Sequence, residues 1–472
     1  MSAPRICVVG GGLAGMAAAL ACADAGARVT LVERRRRLGG ATWSFGHNGL
    51  TFDNGQHVFL RCCTAYRAFL RRLGVADRTR LQARLDVPVL APGGRVARLQ
   101  RDGLRAPLHL GRSLLGYRHL SLADRLRLLP AAVALRKVDL DDPATDRQTF
   151  GDWLARHHQS PRAQHALWDL ICRPTVNVAA SEASLTLAAM VFQTGLLTDA
   201  SAADIGWAGV PLGELHGDAG QRALATAGVE VLAGVPATTV DRPTPPAGGF
   251  TVTVGDSRRE ADAVVVAVPH TAVAAVTGRP ELGDVADRLG TSPIVNVHVV
   301  YDRRVTDLEM AAAVDSDVQF VFDRTDAAGL AQGQYLAVSL SAADREMGEP
   351  AEVTKQRVVA ALAALFPRAR RARVVDSLVS REPAATFRAV PGTRPSRLPN
   401  ETAIPSLVLA GAWTNTGWPA TMEGAVRSGQ SAARHALQSV GRSRGLPEQP
   451  EQAEQPGYAG PQVVAEAGKV IS

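Results

Sequence analysis

Gly10, Gly12 and Gly15 stand at GxGxxG spacing, directly after the apolar run Ile6-Cys-Val-Val9 and at the head of a segment of small residues that ends at Gly26. Those residue types at that spacing suit a dinucleotide. Gly10 makes a tight turn, Gly12 lets a pyrophosphate reach the backbone, and Gly15 lets a helix pack on a strand. The helix start at Leu13 and Ala14 offers unpaired N–H groups and a positive dipole end to phosphate charge. Glu33 closes the next strand-like run, Arg28-Val-Thr-Leu-Val-Glu33, where a carboxylate takes both ribose hydroxyls of an adenosine. GxGxxG alone is weak; with both strands and the acid in place it predicts a dinucleotide site over residues 5–40.

Four arginines, Arg34 to Arg37, follow Glu33, then Leu38, Gly39 and Gly40, with Ser44 four residues beyond. The extended pattern GxGxxG…E…GG…S resembles the FAD-binding fingerprint of glutathione-reductase-type flavoproteins, in the branch with amine oxidases and carotenoid desaturases. The resemblance implies FAD, with Gly39 and Gly40 turning backbone donors to the second side of the diphosphate. Ala41 stands where many members carry Arg. The arginine run reads as a solvated face, with Arg34 taken as the member that lies against the adenine.

Leu409-Ala-Gly411-Ala412-Trp413-Thr-Asn-Thr-Gly417-Trp418-Pro419-Ala-Thr421-Met422-Glu423-Gly424 is similar to the closing motif of the same group. It reads as a strand, a glycine turn and a helix from about Pro419 to Val440. A helix start aimed at the flavin pyrimidine suits the negative charge of the reduced ring. The resemblance places Gly411, Ala412, Thr421, Met422 and Glu423 at the cofactor. Ala412 replaces the Asp that usually binds the ribityl chain.

Phe52-Asp53-Asn54-Gly55-Gln56-His57, together with Gly417 to Gly424, resembles the hydroxysqualene dehydroxylases, a phytoene-desaturase-like group of the hopanoid pathway. That resemblance spans Arg5 to about Leu437 and implies reduction of 12-hydroxysqualene to squalene with loss of water, using reduced FAD. An allylic alcohol leaves readily once protonated, and the resulting cation accepts a hydride held at about 3–3.5 Å. The protein then needs a long apolar channel and an acid beside the hydroxyl. Asp53 and His57 are the candidates for the acid or its orienting partner. Equally, Asp53, Asn54 and Gln56 serve by fixing a loop over the flavin. An FAD-dependent desaturase of carotenoid precursors, with the hydride moving the opposite way, is the main alternative, and an FAD-stabilised lipid-carrier scaffold a further one.

The remaining reactive types form no comparable constellation. His157-His158 beside Trp153 read as a helix surface with no third ligand, and no metal site is expected. Trp413 and Trp418 flank the flavin motif and are candidates for the pocket wall. Five cysteines with no CxxC pair read as reduced and intracellular. An amine oxidase is disfavoured because neither Lys137 nor Lys355 sits in a flavin-facing segment.

The elements that must position these residues follow. The fold class expected is α/β: a Rossmann-type, glutathione-reductase-like FAD domain with an interleaved α+β substrate domain. At about 150 residues per domain the chain's 472 residues suit a discontinuous FAD domain (1–75, 205–285, 402–440), a substrate or cap domain (76–204, 286–401) and a disordered Pro/Glu/Gln-rich tail (441–472). Residues 65–137 read as helical and Arg-rich around a hairpin at Pro92-Gly93-Gly94, and 147–200 as helical with breaks at Pro161 and Pro174. Residues 293–301 and 317–340 read as strands.

Hydrophobic residues at 46% and charged residues at 21% exclude a disordered or fibrous chain. The net charge of +7, almost wholly from Arg, shows no basic stripe interleaved with aromatics, so no nucleic acid is expected. Ile6 to Ala23 imitates a signal peptide, but its glycines and following strand favour the strand–turn–helix reading. The expected setting is cytoplasmic and peripheral on the inner face of the cell membrane. The C30 isoprenoid substrate enters from the bilayer through an apolar opening around Leu108 to Leu129 ringed by Arg. A functional partnership with squalene-pathway enzymes is implied by the resemblance alone.

Overall fold

The computed structural model describes residues 2–241 and 249–441; the expected tail after 441 lies outside them. Five parallel strands form the first sheet, in the spatial order Glu230–Ala233, Arg28–Glu33, Arg5–Val9, Ala263–Val266, Leu407–Leu409. Along the chain this is 3-2-1-4-5, the doubly wound order whose crevice opens at the carboxyl ends beside the first strand. Both faces are covered, which is why the strands read as unbroken Val, Ile, Leu and Ala. Ile6 and Val8 face the helices Leu13–Asp24 and Met422–Ser439. The alternate residues Cys7 and Val9 share a core with Val252 and Val254 of the antiparallel strand Phe250–Val254.

Helix Leu13–Asp24 is apolar nearly all round because it is buried on nearly all sides. Helix Met422–Ser439 crosses it so closely that a side chain at Gly429 would strike the Ala14 carbonyl oxygen. This contact binds the beginning of the chain to its end.

A seven-stranded sheet forms the second layer. Its order is Val374–Thr386, Ser292–Tyr301, Gln334–Ser341, Phe320–Asp323, Met310–Ala313, Asp86–Ala91, Arg95–Gln100, antiparallel except where Met310–Ala313 meets Asp86–Ala91. The helix Ala351–Leu365 packs Val358 and Leu362 against Val295, Val297 and Val299 on one face. A helical cap from about residue 108 to 197 lies over the other end and includes Leu122–Leu135, Phe150–Arg156, Asp169–Val176 and Leu185–Phe192. Two small sheets complete the join: the hairpin Ser44–His47 with Leu50–Asp53, and Val58–Leu60 with Ile205–Ala208 and Thr79–Leu81.

Three expectations are corrected. Residues 79–100 are strands around the hairpin rather than helix, because Arg95-Val-Ala-Arg-Leu-Gln100 alternates with period two, its Ala97 and Leu99 facing inward. Pro174 lies inside Asp169–Val176 rather than breaking it; it sits in the last turn before Asn177, whose left-handed φ of 56° ends the helix. The closing helix begins at Met422 with Thr421 as its cap, three residues after Pro419. Among the described residues no helix is long and apolar enough to cross a membrane.

Candidate functional site

The first strand and the last strand of the parallel sheet flank Ala263–Val266, so the turns after Val9 and Leu409 open at the same carboxyl edge. At Gly10, φ is +112° and a side chain would strike the Ala267 carbonyl oxygen; at Gly15 it would strike the Gly10 carbonyl oxygen. Gly12 differs. A Cβ there would meet only the Gly40 Cα, at 3.7 Å, so its amide plane faces open space of the kind a diphosphate fills. Helix Leu13–Asp24 has no side-chain cap and no acid in its first turn, leaving the Leu13 and Ala14 end bare for an anion. The second glycine pair closes on the first: the Gly39 amide donates to the Gly11 carbonyl at 2.9 Å. This cradle fits a dinucleotide.

Glu33 is buried, and its carboxylate accepts from the Gly11 amide at 2.7 Å and the Arg35 amide at 2.8 Å. It braces the turn as well as standing at the expected ribose position. Arg34 is exposed. Arg37 is the member of the run that turns inward: it donates to the Gly40 carbonyl at 3.2 Å and lies over the Trp43 ring at 4.3 Å. It brings a cation to the glycine pair, on the side where Ala41 has none.

At the other turn Gly411 has φ +144°, and a side chain there would meet the Trp413 indole nitrogen at 2.6 Å. Trp413 is buried and donates to the Val268 carbonyl at 3.0 Å, so it packs the turn and is no part of the cavity wall. Arg397, which sequence reading passed over, is buried beneath this loop. It donates to the carbonyls of Ala412, Trp413 and Thr414 at 3.3, 3.4 and 2.6 Å, and stacks on Phe387. Nothing around Arg397 in the sequence marks it, because its partners are mostly backbone oxygens, with the Thr416 hydroxyl at 3.3 Å. Thr421 accepts from the Gly424 amide at 3.1 Å and caps the closing helix beside Met422.

Glu423 is engaged by the protein itself. Its carboxylate accepts from the Ala65 and Tyr66 amides at 3.1 and 2.7 Å and from Arg427 at 2.6 Å. It therefore caps helix Thr64–Arg72, a helix-positioning role.

Asp53 has the surroundings of the loop-fixing role expected as the alternative to the acid. Its buried carboxylate accepts from Ser44 at 2.6 Å, from the Leu212 amide at 2.8 Å and from Arg324 at 3.0 Å. Arg324 is itself buried and also donates to the carbonyls of Ala208 and Val210. An acceptor engaged three times, once by a guanidinium, is a clamp and not an acid. His57 does not pair with it; the ring Nδ1 lies 3.2 Å from the Gly55 carbonyl. Burial pushes the His57 imidazole below its ordinary value, against the opposing pull of Asp53 and Glu382, so the ring is neutral at neutral pH. Asn54 bridges the Ala41 carbonyl and Glu382, both at 2.9 Å, and its own carbonyl accepts from Asn296 and Ser380 of the second sheet. The 52–57 segment thus bolts the two sheets together.

Its one side chain on the cavity wall, besides the backbone turn into Val58, is Gln56, whose Nε2 is buried without a hydrogen-bond partner among the described residues. The cavity runs from there under the helical cap and has a volume of about 250 Å³. Leu, Val, Ile, Phe and Ala dominate its wall, and His109 is the only titratable side chain on it among the described residues. Burial lowers the His109 imidazole, so this wall carries no charge at neutral pH. Trp168, buried in the core, also lines this cavity, while its indole donates to Gln159.

The profile of the family described as flavin containing amine oxidoreductase matches residues 13–437. Among curated proteins the chain is 28% identical to a hydroxysqualene dehydroxylase of Rhodopseudomonas palustris, over 90% of this chain and 96% of that one. It is 26% identical to a probable zeta-carotene desaturase of Synechococcus elongatus, over 92% and 99%. Among solved structures, a putrescine oxidase variant superposes with a TM-score of 0.69 at 22% identity, covering 92% of this chain and 99% of that one. A cyclohexylamine oxidase from Brevibacterium oxydans gives 0.69 at 19%, covering 93% and 100%.

Proposed function

This chain belongs to the flavin-containing amine oxidoreductase family and uses FAD, and from that premise we propose that it reduces an allylic C30 isoprenoid alcohol, of the 12-hydroxysqualene kind, to the hydrocarbon with loss of water. The observation that carries this is the cavity: a long, uncharged, apolar wall that meets the 52–57 segment at one polar side chain, Gln56. Such a wall suits a hydrocarbon chain and disfavours the cationic substrate of an amine oxidase.

Gly10 to Gly15, Glu33, Arg37 and the Gly39–Gly40 pair would hold the adenosine diphosphate half, and the Gly411–Thr421 loop would hold the ring end. Bound and reduced, FAD supplies the hydride that the carbon skeleton gains. In the overall change the C–O bond breaks, the same carbon takes the hydride, and the oxygen leaves as water with the second hydrogen of the reduced cofactor, so that alcohol and FADH2 become hydrocarbon, water and FAD without consuming a protein acid. The aliphatic wall keeps water from the developing cation. Gln56 offers its unpartnered N–H to the hydroxyl oxygen and so fixes which carbon faces the flavin.

One observation favours a second reading, desaturation of a carotenoid precursor: the identity to zeta-carotene desaturase is nearly the same as that to the dehydroxylase. Anaerobic incubation decides. Squalene formed from hydroxysqualene by photoreduced enzyme supports dehydroxylation. A desaturated product from phytoene or zeta-carotene with oxidised enzyme supports the second reading and removes the first.

A further inference from the structure

Helix Leu122–Leu135 turns an apolar line toward solvent. Leu122, Leu126, Leu129 and Val133 are 65%, 61%, 47% and 41% exposed. At about 100° per residue they fall within about 40° of one line along the helix. The opposite line, Asp124, Leu128, Ala131 and Leu135, is buried. A surface helix of a water-soluble domain ordinarily carries polar residues on the outer line, and here it carries leucines. The preceding segment repeats the pattern with Leu104, Leu108 and Leu115 exposed. Arg125 ties the two pieces together by donating to the Leu115 carbonyl at 2.9 Å and the Leu120 carbonyl at 3.0 Å.

This surface is the outer side of the cavity wall. Leu114, Leu128 and Ala132 line the cavity, while their neighbours Leu115, Leu129 and Val133 face solvent. One layer of side chains separates the two.

Basic residues dominate the stretch that carries the patch, although Asp102, which accepts from the Leu104 amide at 2.8 Å, stands at its edge. Arg105, Arg112, Arg118, Arg127, Arg136 and Lys137 belong to this stretch, and none forms an ion pair among the described residues. Asp124 is the only acidic residue from 103 to 138, and it is buried against Ser121.

We infer that this face docks on an anionic lipid bilayer, with the leucines in the acyl boundary, the basic side chains at phosphate level, and the thin outer wall of the cavity against the membrane, where an opening would admit substrate. The charge argues for this occupant over a second copy of the chain, since a two-fold contact through the patch would set like charges against each other. The role of the opening rests on the proposed isoprenoid substrate; the docking does not.

The test is co-sedimentation of the FAD-loaded enzyme with vesicles of phosphatidylcholine alone, or of equal parts phosphatidylcholine and phosphatidylglycerol. Binding at least about tenfold tighter to the anionic vesicles, weakened by salt, is expected. Leu126→Glu with Leu129→Glu should weaken it at least about tenfold, with the flavin spectrum and turnover of detergent-dispersed substrate unchanged. Wild-type enzyme left in the supernatant with anionic vesicles, undiminished binding by the variant, or a solution dimer that the same variant dissociates would each overturn the inference. Loss of vesicle binding by the variant in an enzyme that turns over no hydroxysqualene even in detergent supports the docking and overturns the substrate reading instead.

Discussion

Asp53 and Arg324 meet at 3.0 Å although 271 positions separate them, and both side chains are almost wholly buried. Their pairing holds the hairpin that follows the glycine pair against the second sheet. Removing one partner strands a buried charge, which costs about 3–5 kcal/mol. Asp53→Ala should therefore lower the unfolding free energy by that order, read as a lower urea midpoint at unchanged slope. Replacing Asp53 and Arg324 together with Leu and Met should recover much of the loss. A single variant with unchanged midpoint and abolished turnover would restore Asp53 as a chemical participant.

Gly12 and Gly15 should respond differently to the same small change. Gly12→Val leaves the fold intact, because its Cβ meets nothing nearer than 3.7 Å, yet it intrudes where the diphosphate must come. The purified protein should be folded by circular dichroism and nearly colourless. Gly15→Val collides with the Gly10 carbonyl oxygen and should not accumulate as folded protein.

Gln56→Leu should keep bound FAD and reduce kcat/KM for the alcohol about tenfold, equivalent to roughly 1.4 kcal/mol. The same variant should leave any turnover of a hydrocarbon substrate unchanged. Equal losses on both substrates would show that Gln56 shapes the wall and does not hold the hydroxyl.

Three histidines set a pH limit on stability. Burial holds His216 and His298 down to about 3, and lowers His57 as well. Near pH 6.5 the unfolded chain takes up protons at these rings while the folded chain does not, so stability is full above that pH and falls as pH drops below it. His216 and His298 each add a slope of about 1.4 kcal/mol per pH unit between about pH 6.5 and 5, and His57 acts in the same direction. Unfolding by urea across that window measures it. His298→Phe, set among Phe45, Phe52 and Tyr335, should shallow the slope; an unchanged slope would assign the acid sensitivity elsewhere.

What could be read in advance was what the chain writes locally. The two glycine turns and Glu33 were legible because turn, close approach and ribose contact each demand a residue type at a fixed offset. Val9 and Leu409, both one strand away from Val266, then brought those turns to one edge. The partners of Asp53, Glu423 and Arg397 were not legible, for the opposite reason. They are Arg324, the amides of Ala65 and Tyr66, and the carbonyls of Ala412 to Thr414, none of which leaves a mark in the neighbouring sequence. Residues 79–100 were taken for helix because arginines recur there, whereas the period-two burial of Ala97 and Leu99 governs.

The parallel sheet collects strands beginning at residues 5, 28, 230, 263 and 407, and the helix that covers Ala14 starts only at Met422. During synthesis the first helix is thus among the earliest pieces to leave the ribosome and the last to find its cover. Cofactor loading is in consequence a late event, and nascent chains stalled before the fifth strand carry an uncovered greasy helix of the sort chaperones retain.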